Sequence, residues 1–236
     1  MDEAYVLHRR SFKETSLLVE FWSLENGRFT AIAKGAKRPK SHLRGILEPF
    51  LPLLVAYQGK HDLKTLTQVD LLPGGLQLIG SQLLAGLYIN ELILSLVDKG
   101  LPMPEIFNCY KETILQLSLA NLEQNLRYFE INLLIHLGYG LSFANTNDSE
   151  EEIKRDNEYF YLPEHGFLAN PIRQVKILKV SGDSIIALKN RKLVTKQQLQ
   201  EAKKILRLTL AHLLEYRPLK TKIFALKATR AGVNNE

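Results

Sequence analysis

The apolar pattern of this chain changes near residue 75. Before that point, short apolar runs have period-two or continuous character, which is typical of β-strands. After it, apolar residues recur every three or four positions, which is typical of amphipathic helices. Pro73-Gly74-Gly75 lies between the two regions and marks a domain boundary. The change predicts an α+β chain, with one domain over residues 1–75 and a second over residues 76–236.

Turn signals separate five apolar runs in the first domain. Glu25-Asn26-Gly27 predicts a hairpin between the second and third runs, and Gln58-Gly59-Lys60 predicts one between the fourth and fifth. Five short antiparallel strands favour a closed barrel, because closure removes unpaired strand edges. We therefore predict a five-stranded OB-fold barrel, with strands over residues 4–9, 16–24, 29–34, 50–57 and 63–71.

The second domain reads as mainly helical with one interruption. Residues 145–157 are polar and acidic, which predicts a mobile surface loop. Two short runs after it, hinged by Pro163-Glu164-His165, predict a small β-hairpin, so that residues 145–170 form an acidic loop and hairpin insertion. Helices are predicted over residues 76–97, 105–119, 122–137, 182–188 and 195–216, and again after Pro218.

The stretch of residues 34–44 carries five positive charges and no acid, directly after the third predicted strand. Gly35 and Pro39 disfavour a helix there. A flexible basic loop at the mouth of a small barrel is typical of proteins that bind a nucleic-acid backbone without base preference. The alternative is a solvated surface turn. We predict phosphate contacts around the barrel at Arg9, Arg10, Lys34, Lys37, Arg38, Lys40, Arg44, Lys60 and Lys64.

Charge is distributed unevenly along the chain. Residues 79–188 hold 8 Lys and Arg against 14 Asp and Glu, whereas residues 189–230 hold 12 against 2. Two basic regions flanking an acidic middle favour a polyanionic partner. Three aromatic residues, Phe12, Phe29 and Tyr57, either stack on bases or fill the barrel core. Further DNA contacts are predicted at Lys203, Lys204, Arg207, Lys220 and Lys222.

Catalytic and metal-binding motifs are missing from the sequence. The single cysteine, Cys109, excludes an internal disulfide and a thiolate zinc site. The histidines form no His-x-x-x-His pair, and neither a Gly-x-Ser-x-Gly motif nor a phosphate-loop lysine occurs. We predict a protein without enzymatic activity or cofactor. No apolar stretch reaches the roughly 18 residues that a membrane span requires, so the expected location is the cytoplasm, in association with the nucleoid.

Several short motifs occur in a fixed order along nearly the whole chain. They are Val6-Leu7-His8-Arg9-Arg10, Gly27-Arg28, Ala33-Lys34-Gly35-Ala36, Leu47-Glu48-Pro49-Phe50, Gly86-Leu87-Tyr88-Ile89-Asn90-Glu91-Leu92, Leu137-Gly138-Tyr139-Gly140 and Arg217-Pro218-Leu219-Lys220. In this order they resemble the RecO family of bacterial recombination mediators. The resemblance implies an OB-fold followed by a helical domain, and binding of single- and double-stranded DNA. It also implies annealing of complementary strands coated with single-strand binding protein and, together with RecR, loading of the RecA recombinase.

One departure from the family concerns metal. Many members carry a four-cysteine zinc site after the Gly-Tyr-Gly motif, whereas residues 141–165 of this chain contain no cysteine. The chain therefore resembles the zinc-less proteobacterial members. The acidic side chains of residues 148–158 are an alternative set of oxygen ligands, but they lack the glycine and carbonyl pattern of a calcium loop. A solvated acidic loop is the favoured interpretation.

The resemblance also implies a protein partner, the acidic C-terminal tail of single-strand binding protein, which ends in apolar residues and binds the helical domain. Arg127 is the candidate for the tail's carboxylate, with Tyr128 beside it. The alternative for Arg127 is an ion pair with Glu123 or Glu130 at helical spacing.

A different class of function fits the same barrel. An OB-fold that binds RNA, or that serves as a protein-interaction scaffold, has the same strand pattern and no annealing activity. A nuclease that uses the acidic loop to bind magnesium is a third and remote alternative.

Overall fold

The computed structural model describes residues 1–59, 62–118, 121–172 and 177–221. The chain divides into two compact units, one of residues 1–120 with 219–236 and one of residues 121–218. The boundary predicted at residue 75 lies inside the first of these units, because two helices pack on the barrel there. The division into domains at residue 75 stays a prediction.

The first unit contains a closed barrel of five strands, which confirms the predicted OB-fold. The strand order around the barrel is β1-β2-β3-β5-β4. Neighbouring strands are antiparallel except β3 and β5, which run parallel, with Ala31 opposite Lys64. The strands are β1 (Asp2–Phe12), β2 (Ser16–Ser23), β3 (Gly27–Ala33), β4 (Leu53–Gln58) and β5 (Leu63–Leu71).

The barrel interior is filled by alanine, valine, leucine and phenylalanine side chains. Ala31 and Ala33 lie on β3 beside Phe29, whose ring stacks on that of Phe21 with centroids 5.1 Å apart. Alternating inward residues of this kind satisfy the period of a strand that has one face in a core. This packing accounts for the period-two apolar pattern from which the strands were predicted.

Two helices, α1 (Gly80–Leu96) and α2 (Pro104–Leu117), cover part of the outside of the barrel. Tyr5 on β1 contacts the rings of Phe107 and Tyr110 on α2, with centroids 5.8 and 5.2 Å apart. Trp22 on β2 lies 6.3 Å from Phe107. These rings are buried, so β1 and β2 have apolar neighbours on both faces.

Gly27 and Arg28, at the start of β3, fix the C-terminal end of α1. The Arg28 Nη1 atom donates to the carbonyl oxygens of Ile93 and Leu94, at 3.2 and 2.7 Å, and to that of Val97. The last carbonyls of a helix have no partner within the helix, and a cation there also interacts favourably with the helix dipole. Burial lowers the pKa of Arg28, although the carboxylates of Glu20 and Asp98 act in the opposite direction.

Asn90 of α1 makes a second polar contact between this helix and the barrel, at a β-bulge. The register of β1 against β2 shifts between Val6 and His8, which leaves Leu7 out of the regular pairing. The buried Asn90 amide donates to the Leu7 carbonyl at 3.0 Å and accepts from the Tyr110 hydroxyl at 2.9 Å. The bulge is thereby satisfied by the helix that packs over it.

Glu91, the next residue of α1, holds the segment that returns to the first unit. Its carboxylate accepts hydrogen bonds from the backbone N–H groups of Lys220 and Thr221, at 2.7 and 2.9 Å, and from the Thr221 hydroxyl. The helix predicted after Pro218 falls mainly on residues outside the described ranges.

The described residues of the second unit form three helices and a small sheet. The sheet has three antiparallel strands in the order β7-β6-β8, so the predicted hairpin is correct, but the third strand was missed. The helix that was predicted over residues 195–216 ends instead at Leu213, because Glu215 and Tyr216 adopt left-handed backbone conformations. The elements are α3 (Leu122–His136), β6 (Glu158–Leu162), β7 (Gly166–Leu168), β8 (Leu178–Ser181), α4 (Gly182–Lys189) and α5 (Lys196–Leu213).

Residues 145–157 form a hydrogen-bonded loop rather than the mobile loop that was predicted. The Asp148 carboxylate accepts from the backbone N–H groups of Ala169 and Asn170, at 2.8 and 3.1 Å. These hydrogen bonds lower the pKa of Asp148 although desolvation opposes them. Ile153 is buried, and the Tyr159 hydroxyl accepts from the N–H of Lys154 at 2.7 Å. The acidic loop is thus anchored at three points.

The close approach at Gly27 can be tested against a matched glycine. A Cβ at Gly27 would lie 2.1 Å from the Leu101 carbonyl oxygen, whereas a Cβ at Gly100 would meet no atom within 4 Å, and both residues have positive φ. We expect Gly100→Ala to lower the free energy of unfolding by about 1–2 kcal/mol through backbone strain. Gly27→Ala should cost a further 1–3 kcal/mol or so, because the backbone of residue 101 must move.

Urea denaturation followed by Trp22 fluorescence measures both variants, because this single tryptophan is buried in the first unit. Equal losses for the two variants would contradict the packing of residue 101 on Gly27.

The contacts of Arg28 give a second stability prediction. Arg28→Met removes the guanidinium donor from the carbonyl groups of Leu94 and Val97 and should lower the free energy of unfolding by about 3 kcal/mol. The Ile93 carbonyl keeps its hydrogen bond from the Val97 N–H. Arg10→Met, on the same barrel but exposed, should change it by less than about 0.5 kcal/mol. The same fluorescence titration compares them, and a loss for Arg28→Met as small as that of Arg10→Met would show that the helix end does not depend on the guanidinium.

Candidate nucleic-acid interface

The basic loop between β3 and β4 is anchored to the barrel core at both ends. Ala36 near its start and Leu47 near its end are buried in that core, and Leu43 packs against it. Between these anchors the backbone makes successive turns, in which Arg38 N–H donates to Gly35 O at 3.0 Å and Arg44 N–H to Ser41 O at 3.1 Å. Apolar anchors inside a charged segment fix the loop while its basic side chains face solvent.

The loop lies along the outer half of β1. The Lys37 N–H donates to the carbonyl of Thr15, in the β1–β2 turn, at 2.9 Å. At the far end of the loop, Glu48 forms an ion pair with Arg9. Arg10 is exposed on the same stretch of β1. The loop therefore lies beside the exposed end of β1, and these two segments together are called the basic face of the barrel.

Most of the predicted contacts in the first unit are exposed, and several have no competing carboxylate. Lys64 is half-buried, and its Nζ atom donates to the Gly59 carbonyl at 3.1 Å. Arg9 is exposed but already paired with Glu48. Lys60 lies outside the described residues. Within the described part of the chain, no ion pair is formed by Arg10, Lys34, Lys37, Arg38, Lys40 and Arg44.

Lys13 belongs to this face and was not predicted. It occupies the β1–β2 turn with φ of 54°, and its Nζ atom lies 5.6 Å from the centroid of the Phe12 ring. The Thr15 carbonyl of the same turn accepts from Lys37. A lysine in a turn next to two arginines of a strand was the available signal.

The predicted aromatic platforms divide into core and surface. Phe29 is buried between Phe21 and Tyr57, so of the two alternatives left open by the sequence it fills the barrel core. Tyr57 is half-buried, and desolvation raises its pKa. Phe12 is half-buried beneath Lys13. The interface thus offers many cations and few exposed rings.

The residues predicted to make further DNA contacts lie in both units. In the second unit, Lys204 and Arg207 are exposed on α5, while Lys203 forms an ion pair with Glu123. In the first unit, Lys220 is exposed and its backbone N–H is held by Glu91. Lys222 lies outside the described residues.

Arg127, the candidate for the tail carboxylate, is 5% exposed. Its Nη2 atom lies 2.7 Å from Glu130 Oε1, one of the two ion pairs named as alternatives from the sequence. Tyr128 is half-buried, and its hydroxyl accepts from Gln124 Nε2 at 2.9 Å and from Leu193 N–H at 3.2 Å. Both side chains have partners in this structure, and their role in tail binding stays a prediction.

The described residues provide no metal centre and no membrane-spanning element. Within the described ranges, no three His, Cys, Asp or Glu side chains come together to hold a metal ion. Nor is any helix in that part of the chain long and apolar enough to cross a bilayer.

Comparison with known proteins assigns the whole chain to one family. Residues 1–74 match the family model for the Recombination protein O N terminal domain, and residues 80–223 match that for the Recombination protein O C terminal domain.

Similar proteins have nearly the same length and one name, DNA repair protein RecO. The protein of Aliivibrio salmonicida is 36% identical over 232 residues, which cover 98% of this chain and 97% of the relative. The protein of Vibrio parahaemolyticus is 37% identical over 233 residues, 98% of this chain and 95% of the relative. That of Pasteurella multocida is 38% identical over 220 residues, 92% of this chain and 91% of the relative. The resemblance in the motifs is thereby confirmed, and the chain belongs to the RecO family.

Proposed function

We propose that this protein is a DNA repair and recombination mediator that holds DNA backbones on the basic face of its barrel. One observation carries the proposal. Six cations with no ion pair in the described part of the chain lie on β1 and on a loop whose apolar residues are fixed in the barrel core. A fixed array of lysine and arginine side chains neutralises successive phosphates and releases their counterions.

The chemistry of this face favours binding without base preference. Lysine and arginine contact phosphates, which are the same at every nucleotide, whereas base recognition needs polar groups placed at base edges. The barrel offers Tyr57 and Phe12 as half-buried rings and no array of exposed ones. Both single and double strands therefore suit the surface.

Annealing follows from the same electrostatics. Two complementary strands repel each other through their phosphates, and a cationic surface that holds both reduces this repulsion. Such a surface promotes pairing without nucleotide hydrolysis, so the proposed activity requires no catalytic residue and no cofactor.

The protein partners are proposed from the family to which the chain belongs. Relatives in this family are named DNA repair proteins, and we propose that this chain acts on strands coated with single-strand binding protein. Together with RecR it would assist loading of RecA, in the cytoplasm at the nucleoid.

The tail of single-strand binding protein is proposed to bind the second unit at α3. For Arg127 to receive the tail's carboxylate, its guanidinium must exchange Glu130 for the tail. That exchange leaves a buried carboxylate without its cation, which costs free energy. Apolar contacts of the tail must offset this cost, and Tyr128 is the proposed neighbour.

The DNA-binding proposal is tested by removing charge from the loop. We expect Lys37→Ala/Arg38→Ala to weaken single-strand binding about tenfold at low salt and to reduce the slope of log affinity against log salt by about 1–2. Both side chains are exposed, so folding should be unaffected. Fluorescence anisotropy with a labelled oligonucleotide at four salt concentrations gives both quantities.

The matched control is Lys154→Ala/Arg155→Ala, which removes the same adjacent Lys-Arg pair from the acidic loop of the second unit. It should leave affinity and slope near those of the unchanged protein. If the two double variants lose the same affinity, net charge rather than the loop accounts for binding, and the loop assignment fails.

The Arg127 prediction is tested by replacing both members of its ion pair. Arg127→Met/Glu130→Met exchanges a buried pair for apolar side chains, which generally preserves folding. If the guanidinium holds the tail's carboxylate, affinity for a peptide of the tail should fall at least about tenfold. Binding to naked DNA should remain unchanged.

The control for that experiment is Lys203→Met/Glu123→Met, which removes an exposed ion pair from the same unit. Its tail affinity should match that of the unchanged protein. A peptide affinity that survives Arg127→Met/Glu130→Met would remove Arg127 from the tail site.

A further inference from the structure

A pocket of about 330 Å³ lies between the β6–β7 turn and the C-terminal end of α5, entirely within the second unit. Leu162 and Pro163 give it an apolar wall. Glu164, His165, His212 and Tyr216 supply one carboxylate, two imidazoles and one phenol. Glu164 Oε1 lies 3.8 Å from His212 Nδ1, and none of the DNA contacts proposed above involves the pocket.

The backbone at the end of α5 is strained in a way that places an aromatic ring at this pocket. Glu215 and Tyr216 have φ angles of 50° and 59°, in the left-handed region that side-chain-bearing residues rarely adopt. Tyr216 N–H donates to Ala211 O at 2.7 Å, which closes the helix end. The Tyr216 ring is 69% exposed and meets the His212 ring edge-on at 6.2 Å. Strained backbone that presents an exposed ring often marks a binding site.

The lining selects the chemical class of the ligand. Among the residues that the structure describes, no lysine or arginine lines the pocket, so the described lining favours neither a phosphate nor a carboxylate. The imidazoles and the phenol offer hydrogen-bonding groups at their edges, and the Glu164 carboxylate accepts hydrogen bonds. The volume is at the small end of the range for ligand pockets. A flat, apolar-faced ring with polar edges satisfies all three conditions, and a nucleobase is such a ring.

Two basic side chains lie on α5 before the pocket, and they are offset around the helix axis from His212 by about 80° for Lys204 and about 140° for Arg207. Lys204 and Arg207 are exposed and in no ion pair within the described ranges. Lys204 precedes His212 by eight residues, a helical rise of about 12 Å. This distance corresponds to a few nucleotides of a single strand. Phosphates held by these two side chains would bring a neighbouring base to the Tyr216 ring.

We propose that this pocket binds one unstacked base of a single DNA strand whose phosphates lie along α5. The inference rests on the proposed DNA binding and adds a feature that the basic barrel face lacks. Bases of a duplex are stacked and paired, so they do not enter such a pocket. The pocket therefore gives the second unit a preference for single strands.

The test compares a thymidine oligonucleotide with a strand of equal length made of abasic sugar-phosphate units. The full chain should bind the thymidine strand at least about fivefold more tightly, because stacking adds to the phosphate contacts. Tyr216→Asn removes the ring and keeps a residue that tolerates a left-handed backbone. This variant should bring the ratio close to one, whereas Tyr216→Phe should retain it.

Tyr139→Asn is the matched control, since Tyr139 is also an exposed tyrosine of the second unit and lies outside the pocket. It should keep the ratio of the unchanged protein. Photocrosslinking with a single 5-iododeoxyuridine in the thymidine strand, followed by mass spectrometry, should mark His165, His212 or Tyr216.

The outcomes separate this inference from the proposed function. Binding to both strands with a ratio that Tyr216→Asn does not change, or crosslinks that form only elsewhere, would overturn the pocket and leave the basic barrel face intact. Failure to bind either strand would overturn both.

Discussion

The first unit depends on the contact between Arg28 and the end of α1. A closed barrel of this size buries its interior, but Tyr5 and Trp22 on its outside also require apolar cover, which α2 provides. The guanidinium of Arg28 bonds the carbonyl groups of residues 93, 94 and 97, and Gly27 allows the backbone of residue 101 to approach. A barrel and a helix pair are thereby joined through buried hydrogen bonds that leave few carbonyl groups without donors.

This joint also explains the relation between the family motifs and the DNA-binding face. Gly27-Arg28 fixes the end of α1, Asn90 satisfies the bulge in β1, and Glu91 holds the returning segment. None of these motif residues presents an exposed cation to solvent. The proposed binding is instead carried by lysines and arginines of a loop whose position follows from β1 and β3. These four motif residues build the scaffold, whereas Arg10 and Lys34 of other motifs, together with the rest of the loop, carry exposed charge.

Much of the fold was predictable because its periodicity is strong. The five barrel strands and the long helices alternate or repeat with the spacing of one buried face. The structure departs from prediction where contacts between residues distant in sequence determine the local structure. Leu178–Ser181 is too short for its sequence alone to predict a strand, and it forms one because it pairs with β6. The burial of Arg28 and Arg127 was also not predictable from the sequence, because an arginine is usually exposed. Only its partners in the fold permit burial. Exposed loop cations, by contrast, were identifiable from charge alone.

In the proposed function, this protein brings two DNA backbones together on a cationic surface after recruitment to coated strands. The most direct measurement is the annealing rate of complementary oligonucleotides precoated with single-strand binding protein, followed by fluorescence, with and without the purified chain. A parallel reaction uses a coating protein whose acidic tail has been deleted. The account predicts acceleration with the intact coating protein and loss of that acceleration without the tail. Folded protein that produces no acceleration at low salt would contradict the mediator function and favour a binding scaffold.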